Sequence, residues 1–105
     1  MINKIKNCFR ADRFLFSKHA KAEMELEEFG IIHTDEVIEV VFNGKIIREY
    51  LDDKPYPSYL IYGQSANNRT LHVVCAYSKE EDYSIIITVY QPDIDKWINY
   101  ERRKK

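Results

Sequence analysis

Hydrophobic residues in the first 44 positions recur every three or four residues, which is the spacing of one helix face. Ser17 and Thr34 are the expected N-caps of the second and third helices, because their hydroxyls can accept a backbone N–H of the first turn. Gly30 is expected to follow the second helix in a left-handed conformation. Residues 14–16 are read as a short apolar link between the first two helices. The three helices are predicted over residues 2–11, 18–29 and 35–43.

From Lys45 onward the hydrophobic period shortens to two, the period of a strand with one buried face. Pro92 ends this pattern, and Asp93 is expected to cap a short last helix that carries Trp97. Four strands are predicted, over residues 45–51, 58–66, 70–77 and 83–90.

The predicted fold is therefore α+β, in one domain of 105 residues. N-terminal helices (1–44) pack on one face of a four-stranded antiparallel sheet (45–91). A short C-terminal helix and a basic tail (92–105) complete the chain.

Composition narrows the class of protein, since 45% hydrophobic and 31% charged residues are typical of a globular domain with one core. No apolar run reaches the roughly 18 residues of a membrane span, and the first residues lack the apolar stretch of a signal peptide. A cytoplasmic protein with reduced thiols is expected. Cys8 and Cys75 have no metal-ligand spacing, and His72 lies on the opposite strand face from Cys75. We expect neither a metal nor another cofactor.

Charge is unevenly distributed although the net charge is only −1. Residues 1–22 hold six Lys or Arg against one Asp, whereas residues 23–44 hold seven Asp or Glu and no Lys or Arg. The chain ends in four basic residues, 102–105. Such a surface can steer a polyanion to one side and repel it from the other. A solvated surface without a partner is the alternative.

Two polar side chains stand out in the last two predicted strands, where folding alone would favour Val or Ile. If Tyr77 lies opposite Tyr83 at the turn, His72 lies opposite Thr88 and diagonal to Tyr90, on the same face. Diagonal neighbours are within reach of side chains of this size. We predict that His72 and Tyr90 form a catalytic pair; the alternative is a structural pair beneath the helices.

His19 is a third candidate, in the first turn of the second helix. The helix dipole there disfavours the imidazolium, so that the ring stays neutral and can accept a proton. Lys18 and Lys21 lie beside the same helix end, which is a natural phosphate site. Arg69 begins the strand that carries His72 and is a further candidate for contacting phosphate. A solvent-facing His19 without a role is the alternative.

Six segments of the chain resemble a bacterial family catalogued as domain of unknown function 4258, which is similar to the RelE/ParE toxin superfamily. The resemblance implies a RelE-like fold, with helices packed on an antiparallel sheet. It also implies a toxin that cleaves mRNA, on the ribosome in some relatives, and a small antitoxin protein as partner. The segments are FSKHA (16–20), FNGKII (42–47), YLDDKPYPS (50–58), LIYG (60–63), LHVV (71–74) and ITVYQPD (87–93), followed by Trp97.

The implied reaction needs no metal, because the 2′-hydroxyl of RNA is the nucleophile. His72 or His19 would act as base, Tyr90 would donate a proton or position the substrate, and Arg69, Lys18 or Lys21 would hold the phosphate. The family places an Arg before the Met of its His-bearing helix, where this chain has Glu23. That substitution removes a positive charge from the expected RNA path.

Two other hypotheses stay open. The first is a non-catalytic module that binds a basic protein partner through the acidic block at residues 23–39. The second is a structural or regulatory protein, for which the tyrosines around the Pro-rich loop at residues 50–62 would form an interface. Fold alone does not choose between these functions.

Overall fold

A computed structural model describes residues 1–104. The elements in chain order are α1 (Ile2–Arg10), β1 (Phe14–Phe16), α2 (Lys18–Leu26), α3 (Thr34–Asn43), β2 (Lys45–Tyr50), β3 (Ser58–Gln64), β4 (Thr70–Ser78), β5 (Tyr83–Tyr90), β6 (Trp97–Ile98) and β7 (Arg102–Arg103). Five strands form one mixed sheet in the order β1-β5-β4-β3-β2, and β6 and β7 pair with each other.

The prediction of a four-stranded antiparallel sheet was wrong. Residues 14–16, read as a link, form β1, which pairs in parallel with β5 so that Phe14 lies opposite Ser84 and Phe16 opposite Ile86. A run of three residues is too short to show a strand period, and its partner lies about 70 residues further along the chain. The sheet is mixed, and the RelE-like fold implied by the resemblance is not shown.

The prediction of a C-terminal helix was also wrong. Asp93 does cap a turn, since its Oδ1 accepts the backbone N–H of Asp95 at 2.9 Å, but the turn ends at residue 96. Asn99 and Tyr100 then adopt positive φ angles of 52° and 62°, and the chain reverses so that β6 pairs with β7. Trp97 of this hairpin is buried, so contact with the sheet outweighs the weak helical signal.

The helix boundaries agree with the sequence pattern to within a few residues. Ser17 caps α2 as predicted, since its Oγ accepts the backbone N–H of Ala20 at 3.0 Å. α2 ends three residues early, and a turn separates it from Gly30, which has a φ of +113°. Thr34 is not the cap of α3; His33 takes that position, and Glu36 Oε1 accepts its backbone N–H at 3.1 Å.

The three helices cover one face of the five-stranded sheet, which we call the inner face. The opposite or outer face carries the β6–β7 hairpin, which an ion pair between Lys45 of β2 and Glu101 ties down at 2.5 Å. No helix within residues 1–104 is long and apolar enough to span a bilayer. The largest fully buried residues of the helix-covered core are Ile5, Ile61, Leu71, Ile86, Val37, Val40, Val41, Val73 and Val89.

Candidate active site

The register of β4 and β5 places His72 directly opposite Tyr90. The predicted register was wrong by one residue at the turn, because Tyr77 lies opposite Ser84 rather than Tyr83. Taken alone, that shift would turn His72 and Tyr90 to opposite faces. A β-bulge at Ile87 inserts one extra residue in β5 and reverses the effect. His72 and Tyr90 therefore share the outer face, away from the helices.

Both ring nitrogens of His72 have hydrogen-bond partners. Nε2 lies 2.6 Å from the backbone carbonyl oxygen of Tyr100, and Nδ1 lies 3.0 Å from the hydroxyl oxygen of Tyr90. Because a carbonyl only accepts, Nε2 carries the hydrogen and donates it to Tyr100. Nδ1 is then the acceptor, and the Tyr90 hydroxyl donates to it. The three groups form a directed chain from Tyr90 through His72 to Tyr100.

His72 is fully buried beneath the C-terminal hairpin. The ring of Trp97 packs edge-on against it with centroids 4.4 Å apart, and Tyr62 approaches at 6.1 Å. Burial lowers the pKa of His72 below its ordinary value, although the hydrogen bond to the Tyr100 carbonyl opposes this shift. His72 is therefore a neutral imidazole at pH 7, with Nδ1 able to take a proton.

Tyr90 links this buried chain to the surface. Burial is the main cause that raises the pKa of Tyr90 to about 12, while the guanidinium groups of Arg103 and Arg48 oppose the shift. Tyr90 is therefore protonated at pH 7. Its half-buried side chain lines two surface grooves, one on each side of the phenol.

The first of these, the outer groove, lies on the sheet face away from the helices and has a volume of 790 Å³. Its floor includes Val74, Thr88 and Tyr90, and its rim is the turn after β2. Three carboxylates give the groove negative charge: Glu49 near the end of β2, and Asp52 and Asp53 in the turn that follows. The groove is open to solvent and has part of the Tyr90 side chain in its wall.

The second, the side groove, lies between α2 and β5 and has a volume of 540 Å³. His19 belongs to it, with its side chain 67% exposed and its Nε2 3.4 Å from Glu23 Oε1. His19 thus adjoins Tyr90 from the opposite side to the outer groove. The residues that line the side groove are His19, Ala22, Glu23, Leu26, Glu27, Glu28, Val89 and Tyr90.

Glu23 forms a hydrogen bond with the backbone of β5 in this groove. β1 ends at Phe16, so β5 beyond its bulge has no strand neighbour on that side. Glu23 Oε1 accepts the backbone N–H of Val89 at 3.1 Å, and Glu27 Oε1 accepts that of Gln91 at 2.8 Å. Two carboxylates of α2 therefore accept the backbone N–H groups that the open strand edge leaves without a strand partner. An Arg at position 23 has no acceptor atom in its side chain and could not do this.

Arg69 is engaged in the fold rather than free for a phosphate. Its Nε donates to Gln91 Oε1 at 2.8 Å, and its Nη1 donates to the Ile31 carbonyl at 2.7 Å and to Glu36 at 3.3 Å. Nη2 donates to the Gly30 carbonyl, and the side chain is only 15% exposed. Arg69 thus clamps the start of β4 to the connection between α2 and α3.

The predicted lysines lie at the start of α2. Lys18 and Lys21 are both exposed, and Lys21 lines a separate cavity between α2 and the α3 cap. The structure therefore brings together His72 and Tyr90, with His19 in the adjoining groove. It does not place Arg69 or Lys21 beside Tyr90.

Sequence reasoning missed four groups around Tyr90: Arg48, Arg103, Trp97 as a cover for His72, and the Tyr100 carbonyl. Arg48 faces the outer side only because of a bulge between Ile46 and Arg48, which the strand pattern does not show. Every residue has a backbone carbonyl, so residue types do not show which carbonyl will bind His72. The positions of all four depend on tertiary pairing.

No cluster of three or more His, Cys, Asp or Glu side chains in residues 1–104 is placed to hold a metal ion. Comparison with curated proteins and with solved structures gives no match. The family model described as Domain of unknown function (DUF4258) matches residues 16–91, a range that runs from the last residue of β1 through β5 and includes both His72 and Tyr90. The family predicted from the sequence motifs is therefore confirmed, and the chain belongs to the DUF4258 family.

Proposed function

We propose that this protein is a toxin of the RelE/ParE class that cleaves mRNA without a metal ion, paired with a small antitoxin. One observation carries the proposal: the Tyr90 hydroxyl donates to His72 Nδ1, while His72 Nε2 donates to the Tyr100 carbonyl. A hydroxyl beside a base, with the base oriented by a third group, is the arrangement that activates a hydroxyl for proton transfer.

The reaction follows from this chain of hydrogen bonds. The Tyr90 oxygen takes the proton of an RNA 2′-hydroxyl while its own proton passes to His72 Nδ1. The 2′-oxygen forms a bond to phosphorus, and the bond from phosphorus to the 5′-oxygen breaks. The products are a 2′,3′-cyclic phosphate and a 5′-hydroxyl. The 5′-oxygen takes up a proton from water, because His19 lies in the side groove, on the other side of Tyr90 from RNA in the outer groove. Each acid–base group is expected to contribute about 10²–10⁴-fold.

Cationic groups on the outer side of Tyr90 would hold the phosphate. Arg48 and Arg103 are the basic groups whose charge acts on Tyr90, and they replace Arg69 in this role. Lys18, exposed on α2, is a more remote contact. RNA would follow the outer groove, on the side of Arg48 and Arg103, whose positive charge must outweigh that of the carboxylates lining the groove. Preorganised positive charge beside the reacting phosphate is often the largest catalytic contribution.

Cleavage of a labelled mRNA by purified protein, in EDTA, tests the proposal. Tyr90→Phe is expected to lower the rate at least about 10²-fold, because the relay loses its hydroxyl. Tyr83→Phe, on the same strand, is the matched control and should cleave as the wild type does. Equal rates for the wild type and Tyr90→Phe would remove Tyr90 from the mechanism. Induced expression in a bacterial host should arrest growth, and Tyr90→Phe should relieve the arrest.

A non-catalytic protein-binding module is the second candidate function. It is favoured by the acidic block at residues 23–39, which contains no Lys or Arg, and by Leu26, whose side chain is 81% exposed. Growth arrest that persists in Tyr90→Phe would support toxicity through binding instead of cleavage.

A further inference from the structure

We propose that the side groove binds an extended basic segment of a partner protein, which runs along β5 and ends at Tyr90. The groove has a volume of 540 Å³ and is bounded by α2 on one side and by the open part of β5 on the other. Three features of the groove, its strand edge, its charge and its apolar strip, specify the same occupant.

The strand edge gives the segment its extended conformation. Beyond Phe16, no strand follows β5 on that side, and the N–H groups of Val89 and Gln91 are held by the side chains of Glu23 and Glu27. An open strand edge is a template for a further strand. Backbone carbonyls of an incoming segment can take over these two N–H groups. The two carboxylates are then released to bind side chains of the segment.

The charge of the groove specifies a basic segment. Glu23, Glu27 and Glu28 line it, and within residues 1–104 no Lys or Arg forms an ion pair with any of them. Glu23 contacts His19 at 3.4 Å, which is its one ionic neighbour among these residues. Three carboxylates without a Lys or Arg partner complement the Lys and Arg side chains of a bound segment.

An apolar strip between the carboxylates specifies apolar residues in the segment. Ala22 and Val89 form part of the groove wall, and Leu26 projects beside them with 81% of its surface exposed. Burying Leu26 under an apolar side chain would stabilise the complex through the hydrophobic effect. The expected segment therefore alternates basic and apolar residues, as one strand does along its two faces.

Such a segment would also control the catalytic group. Tyr90 lines both grooves, so a segment that ends at its ring contacts the phenol and constrains its position relative to RNA in the outer groove. This consequence rests on the proposed nuclease function. The binding itself does not depend on it.

Calorimetry and amide NMR of the full chain test the binding, with Ac-Arg-Leu-Arg-Leu-Arg-Leu-NH2 as probe and the Glu-Leu peptide of equal length as its control. The basic peptide is expected to bind and to shift the amide signals of Val89 and Gln91. Glu27→Gln combined with Glu28→Gln should weaken binding about tenfold or more, because Gln keeps an acceptor oxygen but loses the charge. Glu80→Gln combined with Glu81→Gln, on the distant β4–β5 turn, should bind as the wild type does.

Absence of binding, shifts confined to other surfaces, or equal weakening by both double variants would overturn the proposal. Leu26→Ser gives an independent check, since it alters no charge and no backbone hydrogen bond. It is expected to weaken binding, and an unchanged affinity would refute the apolar part of the site. The peptide should also slow RNA cleavage. If the peptide binds but the protein cleaves no RNA even without the peptide, the nuclease function is refuted and the proposed binding site stands.

Discussion

Replacing Tyr90 by Phe removes one oxygen atom and retains the ring, so the change isolates the hydrogen bond to His72. In the wild type that hydroxyl donates to Nδ1 at 3.0 Å, and His72 is fully buried. In Tyr90→Phe, Nδ1 of the buried His72 ring loses its hydrogen-bond partner. The variant therefore leaves a buried acceptor without a donor.

The expected cost follows from that geometry. A typical hydrogen bond stabilises a protein by about 1 kcal/mol, whereas a buried polar group left unpaired costs about 1–3 kcal/mol. No cavity contribution is added, because the phenyl ring keeps its packing. We expect Tyr90→Phe to lower the free energy of unfolding by about 1–3 kcal/mol, a substantial part of the roughly 5–15 kcal/mol of a typical domain.

Urea unfolding at pH 7.5 measures this difference, with Tyr83→Phe as the matched control. The Tyr83 hydroxyl donates to the Phe14 carbonyl at 3.3 Å, a longer bond whose loss should cost less than about 1 kcal/mol. The ¹⁵N chemical shifts of His72 are a second test of the hydrogen-bond chain, since the wild type should show hydrogen on Nε2 and none on Nδ1. Equal stability of Tyr90→Phe and wild type, or hydrogen on Nδ1, would refute the assigned hydrogen-bond chain.

Three further predictions concern the same region. Because burial lowers the pKa of His72, its contribution to stability is complete above the unfolded pKa of about 6.5 and is lost as pH falls below it. His72→Asn should flatten the dependence of unfolding free energy on pH between 5 and 7.5; an unchanged dependence would contradict the assignment. Glu49→Gln, on the rim of the outer groove, should tighten RNA binding a few-fold at low salt and less at high salt, and weaker binding would argue against that RNA path. Trp97→Ala should cost about 3–5 kcal/mol and move the pKa of His72 toward its ordinary value, which NMR titration would detect; an unchanged pKa would mean that Trp97 does not shield the ring.

Local patterns in the sequence predicted much of the secondary structure. The start of α2 after Ser17 is confirmed, because the capping bond joins residues three apart. The positions of β4 and β5 are also close to the prediction, since strand alternation and the polar residues 78–82 between the two strands are local signals. Strand parity correctly predicted that His72 and Tyr90 share one face. It did so only because the real strands depart from the predicted register twice, and the two departures cancel. The one-residue shift at the turn and the bulge at Ile87 were both invisible in the sequence.

Tertiary contacts decided the remaining features. β1 exists because three residues pair with a strand some 70 positions away, and the last segment forms a hairpin because Trp97 packs on the sheet. Arg69 became a structural clamp because the α2–α3 connection presents carbonyls to it, which its place in the sequence does not reveal. The sequence by itself determined the local elements and the family, because caps, turns and periods depend on residues a few positions apart. The orientation of the His72 ring and the two grooves beside Tyr90 were decided only by tertiary structure, because their contacts join residues that are distant in the chain.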